Sequence, residues 1–229
     1  MKNIKKFYRL NTKLQNQLFR RKNSSKWLLA SLCLLLLLPV LTHILPEYRG
    51  LLFQICLSLF VFAGIQLISS TLKHFVVGMT IGGIAIFFIW LGAEASAGLF
   101  VKLSRTLFAS LFLLFLGYRL YAIIRGSKKI TLNIIAAAIS GYFLIGLLGG
   151  QLCQTLNLIS PKSFNIVEED NQLYSLTYYS FTTLTSLGFG DILPANPPAQ
   201  SVSLLIGITG QLYLTILVAI LVGKYLIQD

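Results

Sequence analysis

Long apolar stretches separated by short polar breaks dominate this chain. Six can be marked, at Trp27–Leu45, Leu51–Ser69, Phe75–Leu91, Thr106–Ile124, Leu132–Leu156 and Ala199–Ile227. Each is long enough to cross a hydrocarbon core of about 30 Å as a helix, with some tilt. A further stretch, from Leu173 to Thr185, is mixed in polarity. As a helix it reaches only about 18 Å, at a rise of about 1.5 Å per residue, so it predicts a half-helix that enters the membrane and returns. The expected fold is an all-α membrane protein of six transmembrane helices, with one re-entrant helix and a loop between the fifth and sixth.

Composition agrees with that placement. The chain is 55% hydrophobic and 11% charged, with a mean hydropathy of +0.76, whereas a soluble domain carries about one quarter charged residues. The first apolar run lacks a small-residue cleavage site and ends in His43-Ile44-Leu45-Pro46, so it reads as a retained span. Nine basic residues precede Trp27, and Arg119, Arg125, Lys128 and Lys129 surround the fourth-to-fifth connection. With Lys73 and Lys224 these place 15 on one side, against Arg49, Lys102, Arg105 and Lys162 on the other. The positive-inside rule then predicts a multi-pass protein of the cell (plasma or inner) membrane, with both termini in the cytoplasm.

The net charge of +12 sits on membrane flanks, which points to anionic lipid headgroups as partners and away from nucleic acid. Residues 1–26 intersperse Ile4, Phe7, Leu14 and Leu18 with lysines and arginines. That segment reads either as an interfacial helix or as a disordered basic tail. Cys33, Cys56 and Cys153 all fall within apolar runs, as packing residues and not as a disulfide framework. His43 and His74 lie near opposite membrane faces, so no metal site that would join them is expected. No nucleotide-binding glycine loop or nucleophile motif occurs, and neither an enzyme nor an organic cofactor is expected.

The chemistry concentrates in Thr182-Thr183-Leu184-Thr185-Ser186-Leu187-Gly188-Phe189-Gly190-Asp191. A cation shedding its water must be offered oxygens in exchange, and backbone carbonyls provide them when successive residues turn the same way. That requires alternating right- and left-handed backbone, and Gly188 and Gly190 reach the left-handed region without a Cβ clash. A half-helix aimed inward adds the negative end of its dipole, which favours a cation at that end.

This segment resembles the selectivity filter of the pore-loop potassium channel superfamily, Thr-x-x-Thr-x-Gly-(Tyr/Phe)-Gly-Asp, aligned on Gly188, Phe189, Gly190 and Asp191. Ser186 then stands where the innermost threonine is usual, and Leu187 where valine is usual. The resemblance implies potassium ions coordinated by Ser186, Leu187, Gly188 and Phe189, supported by Thr182, Thr185, Gly190 and Asp191. It implies an aromatic cuff from Tyr178 and Tyr179, with the Tyr178 hydroxyl in reach of Asp191; the alternative is a pair of interfacial tyrosines. Ser186 keeps a hydroxyl but loses the methyl that stiffens χ1, which predicts a looser innermost site. Thr182 occupies a position where many relatives carry a glutamate or a hydrophobe.

One loop supplies a quarter of each oxygen ring, so the resemblance also implies a homotetramer. It divides the chain into a cytoplasmic segment 1–26, a peripheral four-helix domain 27–129 and a pore domain 130–229. Gly207 and Gly210 are candidates for an inner-helix hinge or, equally, for close helix packing. Glu168, Glu169 and Asp170 would form an acidic outer mouth. The last span ends soon before Asp229, which predicts no cytoplasmic regulatory domain after it. Only Lys102 and Arg105 show the every-third spacing of a voltage sensor, and the next positions, Phe108, Leu111 and Leu114, are apolar. They read instead as anchors at the outer headgroups. The expected function is a passive, weakly voltage-dependent potassium channel. The alternatives are a less discriminating monovalent cation channel, a non-conducting partner subunit and a potassium transporter subunit.

Overall fold

A computed structural model of the chain describes residues 24–68, 72–91, 98–127, 130–166 and 172–226. Seven α-helices are seen among them: α1 Ser24–Ile44, α2 Arg49–Ile68, α3 Leu72–Leu91, α4 Leu99–Gly126, α5 Leu132–Ile159, α6 Gln172–Leu184 and α7 Pro197–Leu226. A 3₁₀ turn, Pro46–Tyr48, joins α1 to α2. The described residues contain no strand, and one isolated bridge pairs Phe164 with Pro194. All the long helices, α1 to α5 and α7, are long and apolar enough to cross a membrane. The chain is an all-α membrane protein.

Helix α6 has 13 residues, about 20 Å at the α-helical rise, and falls short of a crossing. Its bounds lie one residue from those expected. The expected interfacial segment lies almost wholly outside the described residues, as do Glu168, Glu169 and Asp170. Helix α4 begins at Leu99, well before the expected Thr106, because Leu99, Phe100, Val101 and Leu103 continue the apolar face past Lys102 and Arg105. Arg105, inside this extension, is partly buried, with its Nε among the enclosed atoms; a snorkelling anchor buries its stem in the same way.

Helices α1 to α4 form a bundle beside α5, which is flanked by both α1 and α4. One apolar core joins Leu28 and Leu32 of α1, Phe60 of α2 and Phe112 and Leu116 of α4 to Ala137 and Leu144 of α5. Phe60 and Phe112 meet edge to face at 6.1 Å, a favourable arrangement of ring quadrupoles. Gly64 makes room for this contact, since a Cβ there would come within 2.8 Å of the Phe112 ring. A second core joins Cys153 of α5, Leu176, Tyr179 and Leu184 of α6, and Ala199 and Ile206 of α7. The short helix is thereby wedged between the two long ones that flank it in sequence.

Candidate functional site

The seat of α6 is built from glycines on α5. A Cβ at Gly146 would come within 2.5 Å of the Phe181 ring, and one at Gly150 within 2.8 Å of the Thr177 Cα. Gly149 lies as close to Ser180, whose buried hydroxyl donates to the Gly146 carbonyl at 2.7 Å. Small residues let helix backbones approach closely, and the hydroxyl then fixes the register. On the other side, Gly210 of α7 lies under Leu184, where a Cβ would overlap the Leu184 side chain at 2.7 Å. Gly207 has more room, its nearest neighbours being Thr183 atoms at 3.8 Å. Close packing therefore accounts for Gly210 and leaves Gly207 unexplained by it. Helix α7 runs continuously through both.

The end of α6 is closed by a specific pattern of backbone bonds. The Leu187 N–H donates to the Thr182 carbonyl at 2.9 Å and the Ser186 N–H to the Thr183 carbonyl at 3.1 Å. Ser186 itself has φ 60°. This is the left-handed helix stop that usually takes glycine at the Ser186 position. The Thr185 hydroxyl turns back to the Phe181 carbonyl at 2.7 Å, and the Thr182 hydroxyl to Tyr179 at 2.9 Å. Tyr142 of α5 donates its hydroxyl to the Leu184 carbonyl at 3.2 Å.

Beyond the stop the backbone alternates in hand. Ser186, Gly188 and Gly190 have φ of 60°, 53° and 79°, while Leu187 and Phe189 between them do not take positive φ. An added Cβ at either glycine would meet nothing within 4 Å, so conformation and not crowding selects glycine there. Residues 185–191 are all exposed on the isolated chain, with Leu187 at 61% and Phe189 at 66%.

Tyr178 braces this loop. Its ring stacks on Phe189 with centroids 6.4 Å apart and planes 9° off parallel, and its hydroxyl lies close enough to the Asp191 carboxylate for the two to interact. Tyr179 turns the other way, packing on Phe164 at 5.2 Å and donating to the Ser203 hydroxyl of α7 at 2.5 Å. The two tyrosines thus serve different walls, one the loop and one the joint between α6 and α7.

Several positions unmarked by the sequence reading hold the loop's far end. The Leu193 N–H donates to the Asn165 side-chain oxygen, and the Ala195 N–H to the Ser163 carbonyl at 2.8 Å. Asn196 donates from Nδ2 to Ser163 Oγ at 2.9 Å and accepts the Ala199 N–H at 2.9 Å. That last bond caps the start of α7, with Pro197 in the first turn where its missing N–H costs nothing. The Asn-Pro pair was a readable helix-start signal. Gln211 of α7 donates to Ser186 Oγ at 2.8 Å, a contact between residues far apart in sequence.

Residues 130–226 match a family model described as an ion channel. The match takes in α5, α6, the loop and α7, and leaves α1 to α4 outside. Neither the curated proteins nor the solved structures compared with the chain include a match. The similarity supports a passive ion channel in a multi-pass membrane protein.

Proposed function

We propose that the chain forms a homotetrameric cation channel, selective for potassium, that conducts through a filter lined by the carbonyls of Ser186, Leu187, Gly188 and Phe189. The observation that carries this reading is the alternation of backbone hand from Ser186 to Gly190, the condition for successive carbonyls to face one side. Thr182, Thr185, Gly190, Asp191, Tyr178 and Tyr179 act as its frame.

Solvation supports assembly with further copies, and the resemblance to four-fold filters supports their number. An irregular loop exposed on a single chain would leave backbone groups unsatisfied in lipid, and it is tolerated only where protein or water covers it. Only 11% of the most apolar stretch of α7 is buried, which leaves that helix to be covered by neighbouring copies and to line the pore. In this reading Gly207 is the hinge candidate and Gly210 a packing residue. The termini are cytoplasmic, basic flanks meet anionic lipid, and Glu168, Glu169 and Asp170 draw cations to the outer mouth.

The test is the reversal potential of purified protein in lipid under opposed potassium and sodium gradients. A potential close to the potassium equilibrium value is expected. One near zero would give the less discriminating cation channel, the outcome that the missing methyl at Ser186 favours. No current at all from assembled protein would favour a partner subunit.

A further inference from the structure

Ser186 is an ordinary residue in a glycine's conformation. Among the described non-glycine residues only Lys162 shares its positive φ. Its backbone is fixed by the bonds that end α6, and its side chain is fixed from another helix, by the Gln211 amide at 2.8 Å. Both residues lie on the wall of a groove of about 690 Å³, together with Thr183, Ser203 and Gly207.

We propose that Gln211 is a specificity-determining residue of this pore: its amide positions the Ser186 hydroxyl and so sets the geometry of the innermost cation site. The inference rests on the channel reading of the filter. A serine hydroxyl has one proton and two lone pairs. Accepting the Gln211 N–H occupies one lone pair and holds χ1, the Cα–Cβ torsion that places the oxygen, and the other lone pair is left for a cation. Threonine would hold that torsion with its methyl. Here a hydrogen bond from α7 takes over the task, and the innermost site is more rigid than a bare serine implies. Glutamine does this without adding a charge to the pore. The arrangement also makes the site sensitive to any shift of α7 past α6.

The experiment is a set of bi-ionic reversal potentials in planar bilayers, giving potassium preference over sodium and rubidium for the assembled tetramer. Gln211→Met keeps the length of the side chain and removes the donor, and it should change the preference by about two- to tenfold, the range one hydrogen bond spans. Ser186→Ala should change it at least as far, since it removes the ligating oxygen together with the contact, and the double variant no further than Ser186→Ala, because the Gln211 contact is already lost there. Adding Ser186→Thr to Gln211→Met should recover most of the parental preference, since the methyl restores the torsion. A merely structural glutamine would not be rescued in this way. Gln211→Leu serves if the methionine variant does not assemble. Parental preference in the Gln211 variants alongside an altered Ser186→Ala overturns the inference and leaves the channel reading intact. Additive changes overturn it as well. A parent without potassium preference gives the less discriminating cation channel and removes the inference, which requires a selective innermost site.

Discussion

Gly188 and Gly190 sit in open space, so an alanine at either meets only the conformational penalty of a left-handed backbone, about 1–2 kcal/mol. In the proposed ring that penalty recurs in every subunit. Gly188→Ala and Gly190→Ala are therefore expected to assemble normally, by size-exclusion elution, and to lose potassium preference over sodium. Unaltered preference in either variant would sink the filter assignment. These two glycines were legible in the sequence because their demand is local: alternating hand needs a residue without Cβ, and spacing alone reveals it. Ser186 was not legible in the same way. Nothing in its identity announces a left-handed stop, and its partner Gln211 belongs to a helix that the sequence cannot align against the loop. Tyr178 and Tyr179 are adjacent in sequence yet face different neighbours, a split that helical periodicity permits but does not assign.

Helices were read well where lipid alone dictates them, and less well where protein replaces lipid. The apolar runs gave α1, α2, α3, α5 and α7 to within a few residues. The sequence starts α4 at Thr106 because charge is costly in a bilayer, whereas the helix continues back past Arg105 and Lys102 to Leu99. The seat of α6 on Gly146, Gly149 and Gly150 is present in the sequence of α5 as glycines three and four residues apart, a spacing that does not say which helix they receive. One contact between elements has a stronger consequence. Lys224, near the end of α7, donates to the Ile124 carbonyl at 2.6 Å, the Ser127 carbonyl at 2.7 Å and the Arg125 carbonyl at 3.4 Å. All three protons of the ammonium are used at the C-terminal end of α4, where the helix dipole also favours a cation. This ties the last turn of α7 to the bundle. Lys224→Met should lower the denaturation midpoint of the detergent-solubilised protein, at a cost of about 1–3 kcal/mol for carbonyls left unpaired. Lys224→Arg should retain most of it. Equal midpoints for the methionine variant and the parent would remove this clamp from the account.

At the level of the assembled molecule, the charges of α4 decide how strongly opening can follow the membrane field. One elementary charge crossing the full field is worth about 2.3 kcal/mol per 100 mV, and steeply gated channels move about three to four in each subunit. Helix α4 carries Lys102 and Arg105 near one end, Arg119 and Arg125 near the other, and no charged residue from Thr106 to Tyr118. An uncharged middle leaves nothing to step through the centre of the membrane as the helix moves. Lys102 and Arg105 could each cross only part of the field, and enclosure of the Arg105 Nε by its neighbours opposes even that motion. The clamp at Lys224 would transmit a displacement of α4 to the end of α7, but the field supplies little force for it to transmit. Opening is therefore expected to depend weakly on voltage. Any residual dependence should arise from ions within the filter, change with the permeant ion and survive Lys102→Gln/Arg105→Gln. Open probability against voltage in planar bilayers, for the parent and for that assembled double variant, is the measurement. A steep parental curve that flattens in the double variant would make α1 to α4 a working voltage sensor and overturn this reading of the bundle.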